Sequence, residues 1–401
     1  MLVALAVAAC APAPPPTISK NPPGRTPSKC ADPGVNFKQA TPESVDVNSA
    51  ALTKALAFAA GTNAQTVAVL RHGCLIATGG TSQPDLNTPV NVWSVTKAVV
   101  STLVGRAYTL GKLGLDDPIG KYLPEADAAH GAITVRQLLT ETSGLSFAWL
   151  NDLLANGSNA VNFELSLPFA HAPGTYFEYA QQTITLLAKV VERAVGEDLQ
   201  DFARTQLFRK VGIPDNDWSW TRDGAGNTFG YAFLSIAPID LARLGLLVLH
   251  DGRWHGRTLI AADYVHQGAT PTSTNHGYGF LWWTNAGGSV ITPEPYRQEL
   301  ERSIIPSMPS DTFSFDGLLD QVVVMVPSLD LVVVRTGLPG NQTGDFLQNL
   351  TIPGDGISDF FRLLGQSITD VKVADPGPWV PDPVIPLNGG SLFNLLLPTA
   401  G

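Results

Sequence analysis

Charge is scarce in this chain: Asp, Glu, Lys and Arg make up 15% of its 401 residues, where an average soluble domain has about a quarter. The 25 basic residues are outnumbered by 35 acidic ones, giving a net charge of −10. No Lys/Arg stripe or cluster is present to neutralise phosphates, which argues against nucleic acid as a partner. Histidine and cysteine are equally thin. Seven His are scattered without a His-Glu-x-x-His, and three Cys are too few for a metal cluster, so no metal or other cofactor is expected. No Gly-x-Ser-x-Gly elbow and no phosphate-binding glycine loop occurs, which sets those two chemistries aside. No internal apolar run is long enough to cross a bilayer and no repeat is visible, so the body reads as soluble, with length enough for a large core.

What is present centres on Val92-Trp93-Ser94-Val95-Thr96-Lys97. Val95, Val99, Leu103 and Val104 recur at helical spacing, so Ser94 and Lys97 lie one turn apart on one helix face. A hydroxyl beside an amine is useful only if the amine is neutral. Burial disfavours a charged lysine, and the first turn of a helix sits at the positive end of its dipole, so both effects favour the neutral form. Lys97 is then a base for Ser94 as nucleophile, the Ser-x-x-Lys logic of acyl transfer. By themselves these two positions also describe an ordinary amphipathic helix; of the ten lysines, Lys97 alone has a serine three residues before it.

The N-terminal stretch Met1 to Ala9 is apolar and ends Val7-Ala8-Ala9-Cys10, which resembles the lipobox of bacterial lipoproteins, with Cys10 as the lipidation candidate. No Lys or Arg precedes the apolar run, a departure from that pattern. Ala11 to Pro33 carries eight prolines and reads as an extended tether. If Cys10 is modified, Cys30 and Cys74 remain. In an oxidising compartment they close a loop worth roughly 3 to 5 kcal/mol, and otherwise they stay as two buried thiols. These features together imply export to the bacterial periplasm or envelope, with a lipid anchor as a further expectation.

Thr66 to Arg71 and Cys74 to Thr78 flank His72-Gly73 and predict a hairpin of a buried sheet, with His72 a turn residue. Helices are predicted over Ile133 to Thr140, Ile184 to Val195, Leu199 to Val211 and Ile239 to Leu249, the last capped by Asp240 or a neighbour. Gln321 to Val326 and Leu331 to Arg335 are apolar without alternation and predict a second buried hairpin. A closing helix follows over Ser358 to Leu364 with Ser358 as its N-cap. Strands at both ends with helices between them imply one sheet assembled from distant segments. Pro173 to Gln181 leads into the Ile184 helix. There a tyrosine pointed back at Ser94 is able to relay a proton, though a buried tyrosine with a satisfied hydroxyl fits the same stretch.

These segments, in this order, resemble the serine β-lactamase and penicillin-binding-protein superfamily, on the side of class C β-lactamases, D-alanyl-D-alanine peptidases and serine esterases. The resemblance rests on Trp93 to Lys97, Ile133 to Gly144, Pro173 to Tyr179, Ala237 to Ala242 with Gly245, and Tyr278 to Trp282, over roughly residues 40 to 365. It implies an α/β fold of β-lactamase/transpeptidase type, an antiparallel sheet flanked by helices with an inserted helical region. The expected organisation is 1–35 leader and tether, 36–365 hydrolase domain, and 366–401 Pro-rich appendage. Within the domain the sheet is expected from 40–93 and 272–365, and the helical region from 94–271.

The resemblance makes Ser94 the acylated nucleophile, Lys97 its base and Tyr179 the proton relay, with Gln181 in the third place of the Tyr-x-Asn/Ser motif. Trp93 is a candidate substrate contact. The third family motif, Lys/His-Thr/Ser-Gly, is missing. With Gln321 taken as the residue that follows it, the equivalent triplet is Leu318-Leu319-Asp320, and Ser94 and Gln321 supply the oxyanion-hole N–H groups. Arg335-Thr336-Gly337 matches by letter but belongs to the far end of the next strand, and His250-Asp251-Gly252 and His266-Gln267-Gly268 read as loops. Without the cation that holds a carboxylate, ester or small-amide hydrolysis survives better than β-lactam recognition, and Asp320 is expected to repel anions. The alternatives are a β-lactamase or D-alanyl-D-alanine carboxypeptidase, an amide hydrolase of short linear oligomers, and a catalytically silent envelope binding protein.

Overall fold

The computed structural model describes residues 19–20, 29–81, 85–147, 159–294, 297–338 and 355–383. Cys10 and most of the Pro-rich tether lie outside the described residues. Helix α1 (Ser49–Gly61) starts at Asn48, whose side chain accepts the Ala51 N–H at 2.8 Å. Strands β1 (Ala64–Arg71) and β2 (Cys74–Gly80) follow, joined by His72 and Gly73 at φ 52° and 74°. Positive φ at both central residues is the two-residue turn whose twist matches a hairpin. Next come α2 (Val95–Thr109), α3 (Val135–Leu139), α4 (Gln182–Val195) and α5 (Pro238–Leu249). The chain then returns to strands with β3 (Trp283–Thr284), β4 (Phe313–Gly317), β5 (Gln321–Val326) and β6 (Leu331–Gly337), and α6 (Asp355–Ser367) follows.

The six strands form one sheet in the order β2-β1-β6-β5-β4-β3, every neighbour antiparallel. The first hairpin of the chain therefore pairs with the last through β1 and β6, with Val69 opposite Val333. Strands β5 and β6 are apolar on both sides because both sides are covered. Helices α1 and α6 pack together, with α1 on β1 and β2, while α5 lies across β5, β6 and β1 on the opposite face. Helix α2 is buried from Val95 to Ala107 without a polar stripe, the signature of a central helix, and reaches β4 and β5.

Two helix starts differ from the sequence reading. Helix α5 begins with Pro238 after an Ala237 N-cap that makes no side-chain bond. Asp240 instead faces inward and binds the Arg243 guanidinium at 3.0 Å. Helix α6 starts at Asp355, so Ser358 lies inside it rather than capping it.

The N-terminal segment is tied down by a Cys30–Cys74 disulfide with a sequence separation of 44, a closure worth about 4 kcal/mol on chain-entropy grounds. Arg243 also donates to the carbonyls of Gly34 and Val35 at 2.7 and 2.6 Å. At the other end, Val371–Lys372 pairs with Ser19–Lys20, and Arg302 binds Asp382 while its guanidinium lies 4.6 Å over the Trp379 ring.

Candidate active site

The nucleophile candidate is placed by a strained reversal. Val92 N–H donates to Leu234 O at 3.0 Å, and Trp93 then turns the chain with φ at 49°. That region costs a bulky residue about 1–3 kcal/mol and is retained where the surroundings enforce it. Ser94 becomes the N-cap of α2, and its hydroxyl makes no capping bond to the helix. Lys97, one turn on and 1% exposed, donates from Nζ to Ser94 Oγ at 3.2 Å and to Gln181 Oε1 at 2.5 Å. The same Nζ lies 4.3 Å over the Tyr179 ring and 5.7 Å over that of Tyr231.

Tyr179 comes from the loop before α4 and shares a hydrogen bond with Ser94. Burial drives its phenol well above the ordinary tyrosine value, with the Ser94 bond pulling the other way, so the resting group is a neutral O–H. The loop is held by the segment after α3. The Glu141 backbone carbonyl accepts Glu178 N–H at 2.9 Å, its Oε2 accepts Ala180 N–H at 3.1 Å, and Thr142 O accepts Gly174 N–H at 2.8 Å. A capping box between Thr134 and Gln137 sets the start of α3. The Tyr179 ring packs 5.6 Å from Trp283 and edge-on, at 6.1 Å, to Tyr278.

The strand beside Ser94 corrects the sequence alignment by three residues. A Cβ at Gly317 would fall 2.4 Å from Val92 O and 3.2 Å from Ser94 N, so only glycine lets β4 come this close. The triplet at the site is thus Phe315-Asp316-Gly317. Leu318, Leu319 and Asp320 are instead the hairpin turn, with φ of 66° and 60° at the last two. Asp320 is spent on Arg335, whose Nη1 lies 3.7 Å from its carboxylate. Gln321 is likewise not beside Ser94. It pairs across the hairpin from Gly317 on β5, one strand further away, and its amide bonds Leu319 O and Gly337 O, each at 2.7 Å. Arg335-Thr336-Gly337 lies on β6, two strands from β4.

Four residues near the site were not singled out by the sequence reading. Glu141 and Tyr278 lay inside quoted segments without a role. Phe233, at φ 64°, is half-buried and lies 6.5 Å from Trp93, so two aromatic residues in strained backbone pack together just before α2. Asp316 has both carboxyl oxygens buried without a hydrogen bond of ordinary geometry. Burial pushes it up to about 7, with the nearby Ser314 hydroxyl lowering it and Asp320 raising it further. The available signal for Asp316 was the glycine after it, since the family triplet ends in glycine and the Leu318 triplet does not.

The Beta-lactamase family model matches residues 50–337. Esterase EstB of Burkholderia gladioli is 32% identical over 143 residues, 30% of this chain and 36% of that protein. The 6-aminohexanoate-dimer hydrolase of Paenarthrobacter ureafaciens is 25% identical over 232 residues, 49% of this chain and 58% of that protein. The chain thus spans between about a third and three fifths of the length of these curated relatives. A penicillin-binding protein homolog from Caulobacter crescentus shares the fold with a TM-score of 0.56 and 17% identity, over 79% of this chain and 95% of that one.

Proposed function

The chain belongs to the Beta-lactamase family, and from that premise we propose that it hydrolyses an ester or small amide through an acyl-enzyme on Ser94. The observation that carries this reading is one hydroxyl met by two proton-handling groups, Lys97 Nζ at 3.2 Å and the neutral Tyr179 phenol. Neutral Lys97 takes the Ser94 proton as Oγ attacks the substrate carbonyl carbon. The resulting oxyanion is stabilised by backbone N–H groups, those of Ser94 and of Leu318, the residue that follows the Gly317 contact. As the intermediate collapses, Tyr179 gives its proton to the leaving oxygen or nitrogen, and the Lys97 ammonium restores it. Water, deprotonated by the same pair, then releases the acid and frees Ser94.

Ester or neutral amide is favoured over β-lactam because Phe315 stands in the triplet's cation place and Asp316, a carboxyl, in the place of its hydroxyl, so nothing there holds a substrate carboxylate. The Trp93 and Phe233 rings suit an apolar acyl group. The Cys30–Cys74 bond supports an exported location for the chain.

The test is intact mass after exposure to a fluorophosphonate, on this protein and on Ser94→Ala, with nitrophenyl ester turnover in parallel. One adduct on Ser94, absent from the variant, is expected. A folded sample with neither adduct nor turnover would leave a binding scaffold.

A further inference from the structure

Asp316 precedes the glycine that touches Ser94, and its carboxyl makes no ion pair and no hydrogen bond of ordinary geometry among the described residues. Side chains alternate along a strand, so Asp316 shares a face of β4 with Ser314, whose cross-strand partner is Trp283. Trp283 packs 4.7 Å from Tyr278 and 5.6 Å from Tyr179. Asp316 therefore lies on the Tyr179 side of the nucleophile, and it is electrostatically coupled to both tyrosines. Asp316 Oδ1 and Oδ2, Ser314 Oγ and Tyr278 Oη are buried on this side without a hydrogen bond of ordinary geometry among the described residues, the Ser314 hydroxyl being the one polar group close enough to Asp316 to favour its charged form. Buried polar atoms are almost always paired, so oxygens as poorly paired as these are ready acceptors for an added donor.

We propose that Asp316 and the Tyr278 hydroxyl form a recognition subsite for a primary ammonium on the leaving-group side of the substrate, making the preferred substrate an ester of an amino alcohol or an amide of a diamine. An ammonium brings three N–H donors and one positive charge to the two Asp316 carboxyl oxygens and the Tyr278 hydroxyl. The side follows from Tyr179, which hands its proton to the leaving group. The raised proton affinity of Asp316 fits an acid that has lost its water and has no cation beside it. The inference rests on the hydrolase reading and specifies its substrate.

The experiment compares the acetates of 4-(aminomethyl)phenol and 4-ethylphenol, matched in shape and different in charge, at a pH of about 8, where the amine is an ammonium and the carboxyl ionised. The wild-type kcat/KM ratio is expected to favour the ammonium ester by about tenfold or more, and Asp316→Asn is expected to bring that ratio near one. Because the readout is a ratio, a general loss of activity in the variant does not imitate the result. Should the variant fail to fold, the wild type decides alone: benzylammonium is expected to inhibit turnover of the ethylphenyl ester competitively, about tenfold more tightly than benzyl alcohol. Turnover of both esters with no preference, or equal inhibition, overturns the ammonium subsite and leaves the hydrolase standing. No turnover of either ester and no fluorophosphonate adduct overturns both.

Discussion

Ser94, Lys97, Tyr179 and Gln181 converge on one point, and each was legible because its placement is local. Ser94 and Lys97 are one helical turn apart, and Tyr179 and Gln181 lie on the lead into α4. Gln181 is the departure from the family pattern, and its longer amide still reaches Lys97 Nζ at 2.5 Å. Removing only the phenolic oxygen tests the proton path. Tyr179→Phe keeps the ring packing on Trp283 and Tyr278, so melting should change little, while ester turnover should fall by about 10²- to 10⁴-fold. Turnover near the wild-type rate would take Tyr179 out of the mechanism. Asp316 and Phe233 were not legible in the same way, because their neighbours come from remote strands and loops.

At the scale of elements, what matters is how closely backbones approach. Gly317 and Gly245 both sit at contacts that a side chain would disturb, but with different consequences. At Gly317 the obstacle is backbone, Val92 O at 2.4 Å and Val95 N at 3.1 Å, and backbone cannot rotate away. Gly317→Ala should push β4 from α2 and cost about two orders of magnitude or more in turnover, since small misplacements at a nucleophile are that costly. At Gly245 the obstacles are Val332 Cγ1 at 2.8 Å and Val323 Cγ1 at 3.0 Å. Gly245→Ala should lower stability in urea titration by about 1–3 kcal/mol through overpacking, with turnover by the remaining folded protein little changed. Equal effects of the two on turnover would mean that Gly317 is merely another packing position. The three-residue misplacement of the site triplet belongs to this scale too. Two apolar runs identify a hairpin, but where its turn begins depends on which glycine must meet Ser94.

For the whole molecule, the charged cluster beside the disulfide joins the N-terminal segment to two hairpin turns. His72 lies 3.0 Å from Asp330, Lys29 3.6 Å, and His250 reaches Asp32 at 3.2 Å and Asp330 at 3.8 Å. Burial pushes Asp330 upward, but bonds from His250 and His72 and the charges of His72 and Lys29 outweigh it and hold the carboxyl well below the usual range. The Asp330 bond, against the opposing effect of burial, raises His250 above its ordinary value. A raised histidine contributes stability that is complete below its unfolded value, about 6.5, and is lost as pH climbs through the folded value. A depressed carboxylate contributes above its unfolded value, about 4, and is lost as pH falls below that. The stability difference between wild type and His250→Gln should therefore be largest between pH of about 4 and 6.5 and shrink on either side. A difference that is flat from acid to alkaline pH would show that His250 acts by packing alone.

By itself the sequence determined the main helices, the two buried hairpins and the family, and it singled out Ser94, Lys97 and Tyr179, which the fold brings together, because periodicity and motif spacing are properties of neighbours along the chain. It also implied the right kind of sheet, since fully apolar strands at both ends must meet to be covered. Only the tertiary structure decided that Gly317, not the turn after it, touches Ser94, that Asp320 belongs to Arg335, and that the Asp316 carboxyl is buried without an ion pair among the described residues. Those outcomes depend on strand register and on which remote residues share a face, and register is set by the packing of the whole sheet rather than by any stretch of it.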